Sequence, residues 1–187
     1  MSERSGVQLI EQVLPTYQFS ERHSLSIRAE PGRIMERVES VLQQTDPLVN
    51  RVIALREAPA RIWHRLGGRS QLPSRPFGFG DFTRLGSIDK QELVFGLAGR
   101  FWQADYGLHS VADAQAFASL QGVPKLVMNF HAVATGSGSQ LSTCTRVYCP
   151  DPSSLYRFMP YWYLIRPVSG LIRRRLLRQI ASVVEQH

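Results

Sequence analysis

The stretch KLVMNFHAVATGSGSQLSTCTRVYC, Lys125 to Cys149, holds two runs of alternating residues separated by the four residues Gly136 to Ser139. In the first run Leu126, Met128, Phe130 and Ala132 fall on one face, and Lys125, Asn129 and His131 on the other. In the second, Leu141, Thr143, Thr145 and Val147 share a face while Cys144 and Arg146 oppose them. A period of two is that of a strand with one face turned to a core, and a Gly/Ser break between two such runs predicts a β-hairpin. The apolar set is expected to point inward.

Directly after the hairpin, Asp151 and Pro152 supply a helix cap and a first-turn proline. A helical pattern then runs to the chain end, with breaks or kinks expected at Pro160 and Pro167. Leu171, Ile172, Leu176, Leu177, Ile180, Val183 and Val184 form one broad stripe, and Arg173, Arg174, Arg175 and Arg178 are expected to face elsewhere. So long an apolar stripe needs a large cover, and the sheet is the available one.

Upstream of the hairpin, Phe82 to Ile88 and Glu92 to Trp102 read as two strands joined at Asp89 to Gln91. Ser110 with Asp113 forms a capping-box pattern before a short helix that Gly122 closes. Nearer the start, Leu25 and Ile27 alternate with Ser24, Ser26 and Arg28 in a strand from Tyr17 to Arg28. Pro31 opens a helix with Ile34, Val38, Val41 and Leu42 on one face. A second helix is expected from Asp46, a third short one from Pro59 to Leu66, and a loop from Arg69 to Gly80. Residues 1–16 read as a tail or edge segment adding little to the core, and 17–187 as a single domain.

The whole chain of 187 residues is long enough to bury about 70% of its unfolded surface, so a core with a cavity in it is attainable. With 43% apolar and 20% charged residues, a disordered chain, a collagen-like repeat and a disulfide miniprotein are excluded. Net charge is +7, yet 20 of the 22 basic residues are Arg, a bias that coding composition also produces. Cys144 and Cys149 are five apart in one strand, hence on opposite faces and too far apart to pair. Two free thiols and the absence of a signal-like or 18-residue apolar stretch suit a soluble cytoplasmic protein.

Strand, helices, a run of antiparallel strands and a long last helix form an α+β order. From Tyr17 to about Glu185 this order resembles the helix-grip fold of the START/Bet v 1 (SRPBCC) superfamily, with a curved antiparallel sheet wrapped around the C-terminal helix. ELVFGLAGRFW (Glu92 to Trp102), LSTCTRVYCPD (Leu141 to Asp151) and YWYLIRPVSGLIRR (Tyr161 to Arg174) are similar to an uncharacterised bacterial branch of it. In that branch an acidic residue is expected where Cys144 stands. The resemblance implies a cavity between sheet and helix that takes lipid-, polyketide- or aromatic-like molecules. Residues expected to line it are Phe95, Leu97, Trp102, Met128, Phe130, Thr143, Thr145, Trp162 and Ile165; the alternative is that these simply fill a core.

Catalytic signals are sparse. His131 faces away from the expected core, and His23, His64, His109 and His187 have no convergent partners in sequence. No CxxC or HxxxH spacing points to a metal, no cofactor is implied, GSGSQ lacks the lysine of a phosphate loop, and FGFGD (Phe77 to Asp81) lacks a third glycine. Glu57, Glu92, Asp105 and Asp113 are scattered. Arg100 shares an expected strand face with Trp102 and, with Arg173 and Arg174, is a candidate anion contact. Tyr161, Trp162 and Tyr163 beside Arg166 and the Arg173 to Arg175 run suit an acidic membrane surface, and less well nucleic acid. The expected function is binding of a small, largely apolar ligand as carrier or sensor. The alternatives are an enzyme similar to polyketide cyclases using the same cavity, and peripheral membrane or nucleic-acid association through the basic helix.

Overall fold

A computed structural model describes residues 7–43, 79–103 and 106–186. The helices expected from Asp46 and Pro59, most of the loop from Arg69, and Glu57, His64, Asp105 and His187 lie outside the described residues. The elements in chain order are α1 (Leu9–Val13), β1 (Phe19–Ile27), α2 (Pro31–Gln43), β2 (Thr83–Ile88), β3 (Glu92–Ala98), α3 (Ala114–Ser119), β4 (Lys125–Thr135), β5 (Gly138–Tyr148) and α4 (Pro152–Glu185). The five strands form one curved antiparallel sheet in the order β1-β5-β4-β3-β2. With the long C-terminal helix laid on β1 and β5 this is an α+β helix-grip architecture.

The hairpin is tighter than its Gly/Ser run suggests. Thr135 pairs with Gly138, so only Gly136 and Ser137 turn the chain, and both strands extend to eleven residues. Gly138 sits at φ +144°, and a Cβ there would collide with the Ile27 carbonyl, so the turn lies against the end of β1. Leu141, Met128, Phe130 and Ala132 indeed face one way, into a cluster with Ile34, Val38 and Val41 of α2 and Leu177, Ile180 and Val184 of α4.

Three expectations are corrected by the packing. The first concerns the N-terminal segment, which adds substantially to the core: Ile10 and Leu14 are buried on the opposite, convex face with Leu85, Val94, Phe117, Val127 and Cys144. Both orphaned ends of α1 are served by the sheet. Glu92 accepts from the Leu9 and Ile10 amides at 2.6 and 3.2 Å, and Arg146 donates to the Leu14 carbonyl at 3.2 Å. Because helices lie over both of its faces, β3 is buried at every position.

The second correction concerns β3, which ends at Ala98, so Arg100 and Trp102 share no strand face. At Gly99 the backbone passes so close to the carbonyls of Tyr106 and Gly107 that an added Cβ would sit 2.9 Å from both, and the chain turns there. Thirdly, α4 runs unbroken through Pro160 and Pro167 for 34 residues, about 51 Å. Each proline leaves the carbonyl four residues earlier without its helical donor. Those residues, Tyr156 and Tyr163, are on the exposed side of the helix, 70% and 63% accessible, and on such a side solvent can replace a missing backbone donor. At the short helix α3 the cap is Asp113, accepting from the Ala116 amide at 2.8 Å, rather than Ser110.

Candidate functional site

Alternation along β1 continues backward from Ile27 and Leu25 to His23, Glu21 and Phe19, all on the face beneath α4. In the β1–β5 register Phe19 stands opposite Val147, Glu21 opposite Thr145, His23 opposite Thr143, and Leu25 opposite Leu141. The concave face is therefore banded along these two strands: apolar at one end, polar in the middle, apolar at the other. Ile27, Leu141, Met128, Phe130, Phe95 and Leu177 belong to one apolar cluster. Phe19, Leu97, Phe101, Val147, Phe158 and Trp162 belong to the second.

The polar band is almost closed to solvent. Side chains of Glu21 and His23 are 8% and 11% accessible, and Thr143 and Thr145 are buried. His23 Nε2 lies 3.0 Å from Glu21 Oε1. Above them α4 presents Gly170, where a Cβ would stand 3.0 Å from Glu21 Oε1 and 3.4 Å from the His23 ring. Glycine lets the helix backbone approach the pair.

One helical turn later Arg173 turns inward rather than to solvent. Its Nε donates to Ser169 Oγ at 3.3 Å, and Nη1 is buried. Burial pushes its pKa down to about 10, and the Glu21 carboxylate works against that fall. Glu21 Oε2, Thr143 Oγ1, Thr145 Oγ1 and Arg173 Nη1 have no hydrogen-bond partner among the described residues. A buried polar atom left unpaired costs about 1–3 kcal/mol. Four in one band are substantial beside a total stability of about 5–15 kcal/mol.

The residues expected from sequence are thus distributed unevenly. Thr145 and Thr143 stand opposite Glu21 and His23 in the polar band and Arg173 lies within electrostatic reach of Glu21, while Phe95, Met128 and Phe130 flank the band in the first cluster, and Leu97 and Trp162 in the second. Ile165 is half-buried on α4, and Trp102 sits in the turn after β3 with its ring 6.2 Å from that of Phe158. Arg100 and Arg174 are exposed, away from the band. Trp162 packs 5.5 Å from Phe19 and 5.9 Å from Phe158, so it is withdrawn from the surface belt expected of it; Tyr163 remains exposed. Glu21 and His23 were not signalled as partners by sequence, although the parity of Leu25 and Ile27 extended four residues back places both inward.

A second polar group lies on the convex face. Besides the two α1 amides, Glu92 accepts from Asn129 Nδ2 at 2.6 Å, and Asn129 Oδ1 accepts from the Cys144 amide at 2.9 Å. The two amide bonds tie α1 to β3 and the two Asn129 bonds tie β3, β4 and β5 together beneath it, which accounts for the cluster structurally. A cleft of about 210 Å³ between α2 and the β2–β3 turn is lined by Glu36, Glu39, Arg84, Asp89 and Lys90 among others, and Arg84 pairs with Glu39 across 2.8 Å. Among the described residues no group of His, Cys, Asp and Glu could hold a metal ion, and no helix is long and apolar enough to cross a membrane.

No protein-family profile and no curated protein matches the chain. Among solved structures, a protein from Nitrosomonas europaea is 9% identical with a TM-score of 0.41, over 89% of this chain and 94% of that one. A protein from Chromobacterium violaceum is 14% identical with a TM-score of 0.38, over 89% and 96%. An AHSA1-like protein from Rhizobium etli is 13% identical with a TM-score of 0.33, over 87% and 82%.

Proposed function

We propose that the chain binds a small, largely apolar molecule between the concave sheet face and α4, as a carrier or sensor in the manner of the START/Bet v 1 superfamily that its sequence resembles. The observation that carries this reading is the coexistence, on one face, of two apolar clusters with a band of buried polar atoms that lack partners among the described residues. A core filled only by its own side chains has no use for such a band, whereas a binding site combines apolar walls with a few polar groups that set orientation. Each 100 Å² of ligand surface removed from water contributes about 2.5 kcal/mol.

Native mass spectrometry of the full chain purified from its own host tests this. The expected result is a stoichiometric small-molecule adduct that denaturation releases; a bare chain overturns the reading. The second reading is an enzyme similar to polyketide cyclases, favoured by the Glu21–His23 hydrogen bond on the same face. Returning the released molecule to apo protein separates the two. A carrier gives it back unchanged, while an enzyme converts it and a His23→Ala variant does not.

A further inference from the structure

The polar band has a definite charge pattern. Glu21 offers an acceptor in Oε2, Arg173 a donor in Nη1, and Thr143 and Thr145 each a hydroxyl able to do either. Glu21 and Arg173 interact electrostatically, yet the carboxylate's Oε2 and the guanidinium's Nη1 each lack a hydrogen-bond partner among the described residues. His23 holds the other carboxylate oxygen.

A guest group satisfying this set must donate to a carboxylate and accept from a guanidinium at once. A hydroxyl does both through one oxygen. A carboxylate would answer Arg173 but stand against Glu21, and an ammonium would answer Glu21 but stand against Arg173. With the two charges already offsetting each other, either ion would leave one buried charge uncompensated, at a cost larger than a hydrogen bond returns. A purely apolar guest would leave all four atoms unpaired.

Resting on the proposed function above, we infer that the ligand is neutral and bears a hydroxyl, phenolic or alcoholic, which lodges among Glu21, Thr143, Thr145 and Arg173 while its apolar body lies against the neighbouring cluster around Met128 and Phe130. Gly170 is what allows α4 to close over the group, and His23 is a positioning residue that fixes the carboxylate.

Three probes of matched size test this on the full chain, followed by intrinsic tryptophan fluorescence: naphthalene, 2-naphthol and 2-naphthoate. The expected result is that 2-naphthol binds at least about tenfold tighter than either of the others, because a site built to hydrogen-bond a hydroxyl discriminates strongly against its absence. Glu21→Gln and, separately, Thr143→Val should each reduce that preference at least about threefold. The Thr143→Val variant preserves side-chain shape and guards against a Glu21 variant that fails to fold. Equal affinities, tighter binding of the naphthoate, or a preference that survives both substitutions overturns the inference and leaves apolar binding standing. No binding by any of the three overturns both.

Discussion

Glu92 is fully buried in the sheet, and its carboxylate is held by hydrogen bonds from the Leu9 and Ile10 amides and from Asn129 Nδ2. Charge-assisted bonds of this kind are stronger than neutral ones, and removing the acceptor leaves three donors buried without partners. Glu92→Ala is therefore expected to lower the unfolding free energy by about 3 kcal/mol in urea denaturation, and a loss under about 1 kcal/mol would contradict this account. Nearby His131 is half-buried, and its pKa lies below the ordinary 6.5, chiefly through burial, with the Glu92 charge opposing and Arg22 assisting. The unfolded chain takes up a proton as pH falls through 6.5 while folded His131 stays neutral until lower pH, so stability is complete above 6.5 and declines below it. In His131→Gln the drop in stability between about pH 7.5 and pH 5 should be smaller than in the native protein, as chemical denaturation at the two pH values will read.

Gly170 illustrates the conflict between local preference and packing in α4. In a free helix Gly→Ala stabilises by about 1 kcal/mol. Here the new methyl would stand 3.0 Å from Glu21 Oε1, so Gly170→Ala is expected to show none of that gain in its melting temperature, and Gly170→Val to lose about 2 kcal/mol. A melting temperature raised by several degrees in Gly170→Ala would mean that helix and sheet are not in close contact there. The same elements show what a sequence reveals. The alternation of Met128, Phe130 and Ala132 disclosed the inward face because it was apolar. Glu21 and His23 keep the same parity in β1, but a charged residue beside Arg22 and Ser24 has the composition of a solvated strand. In the Arg173 to Arg175 run, residues about 100° apart cannot all face water, yet which one turns in depends on where β1 lies. Prolines 160 and 167 read as breaks because sequence does not show that the carbonyls they orphan are on the wet side.

At the scale of the molecule the sheet has two cores. The concave one was legible, since the long stripe of α4 demanded a cover. The convex one was not, because its cover comes from five-residue α1 and six-residue α3, too short to present a stripe of their own. Yet the signal existed in β3, where LVFGLA after Glu92 is apolar on both parities, as expected of a strand buried on both faces. The physical consequence is that α1 acts as a wedge rather than a tail: Ile10 is 0% accessible, Leu14 6%, and Arg146, stacked 4.5 Å from the Tyr17 ring, fixes its far end. Ile10→Ala, which removes buried methyl and methylene groups and leaves Glu92 in place, should cost about 3 kcal/mol. Deleting residues 1–14 removes the α1 share of the cover over Leu85, Val94 and Val127, leaving α3 there, and leaves the Glu92 carboxylate without two of its donors. That protein should unfold at much lower urea and sediment as aggregates, whereas a truly peripheral segment could be removed with the midpoint and the monodisperse boundary both intact.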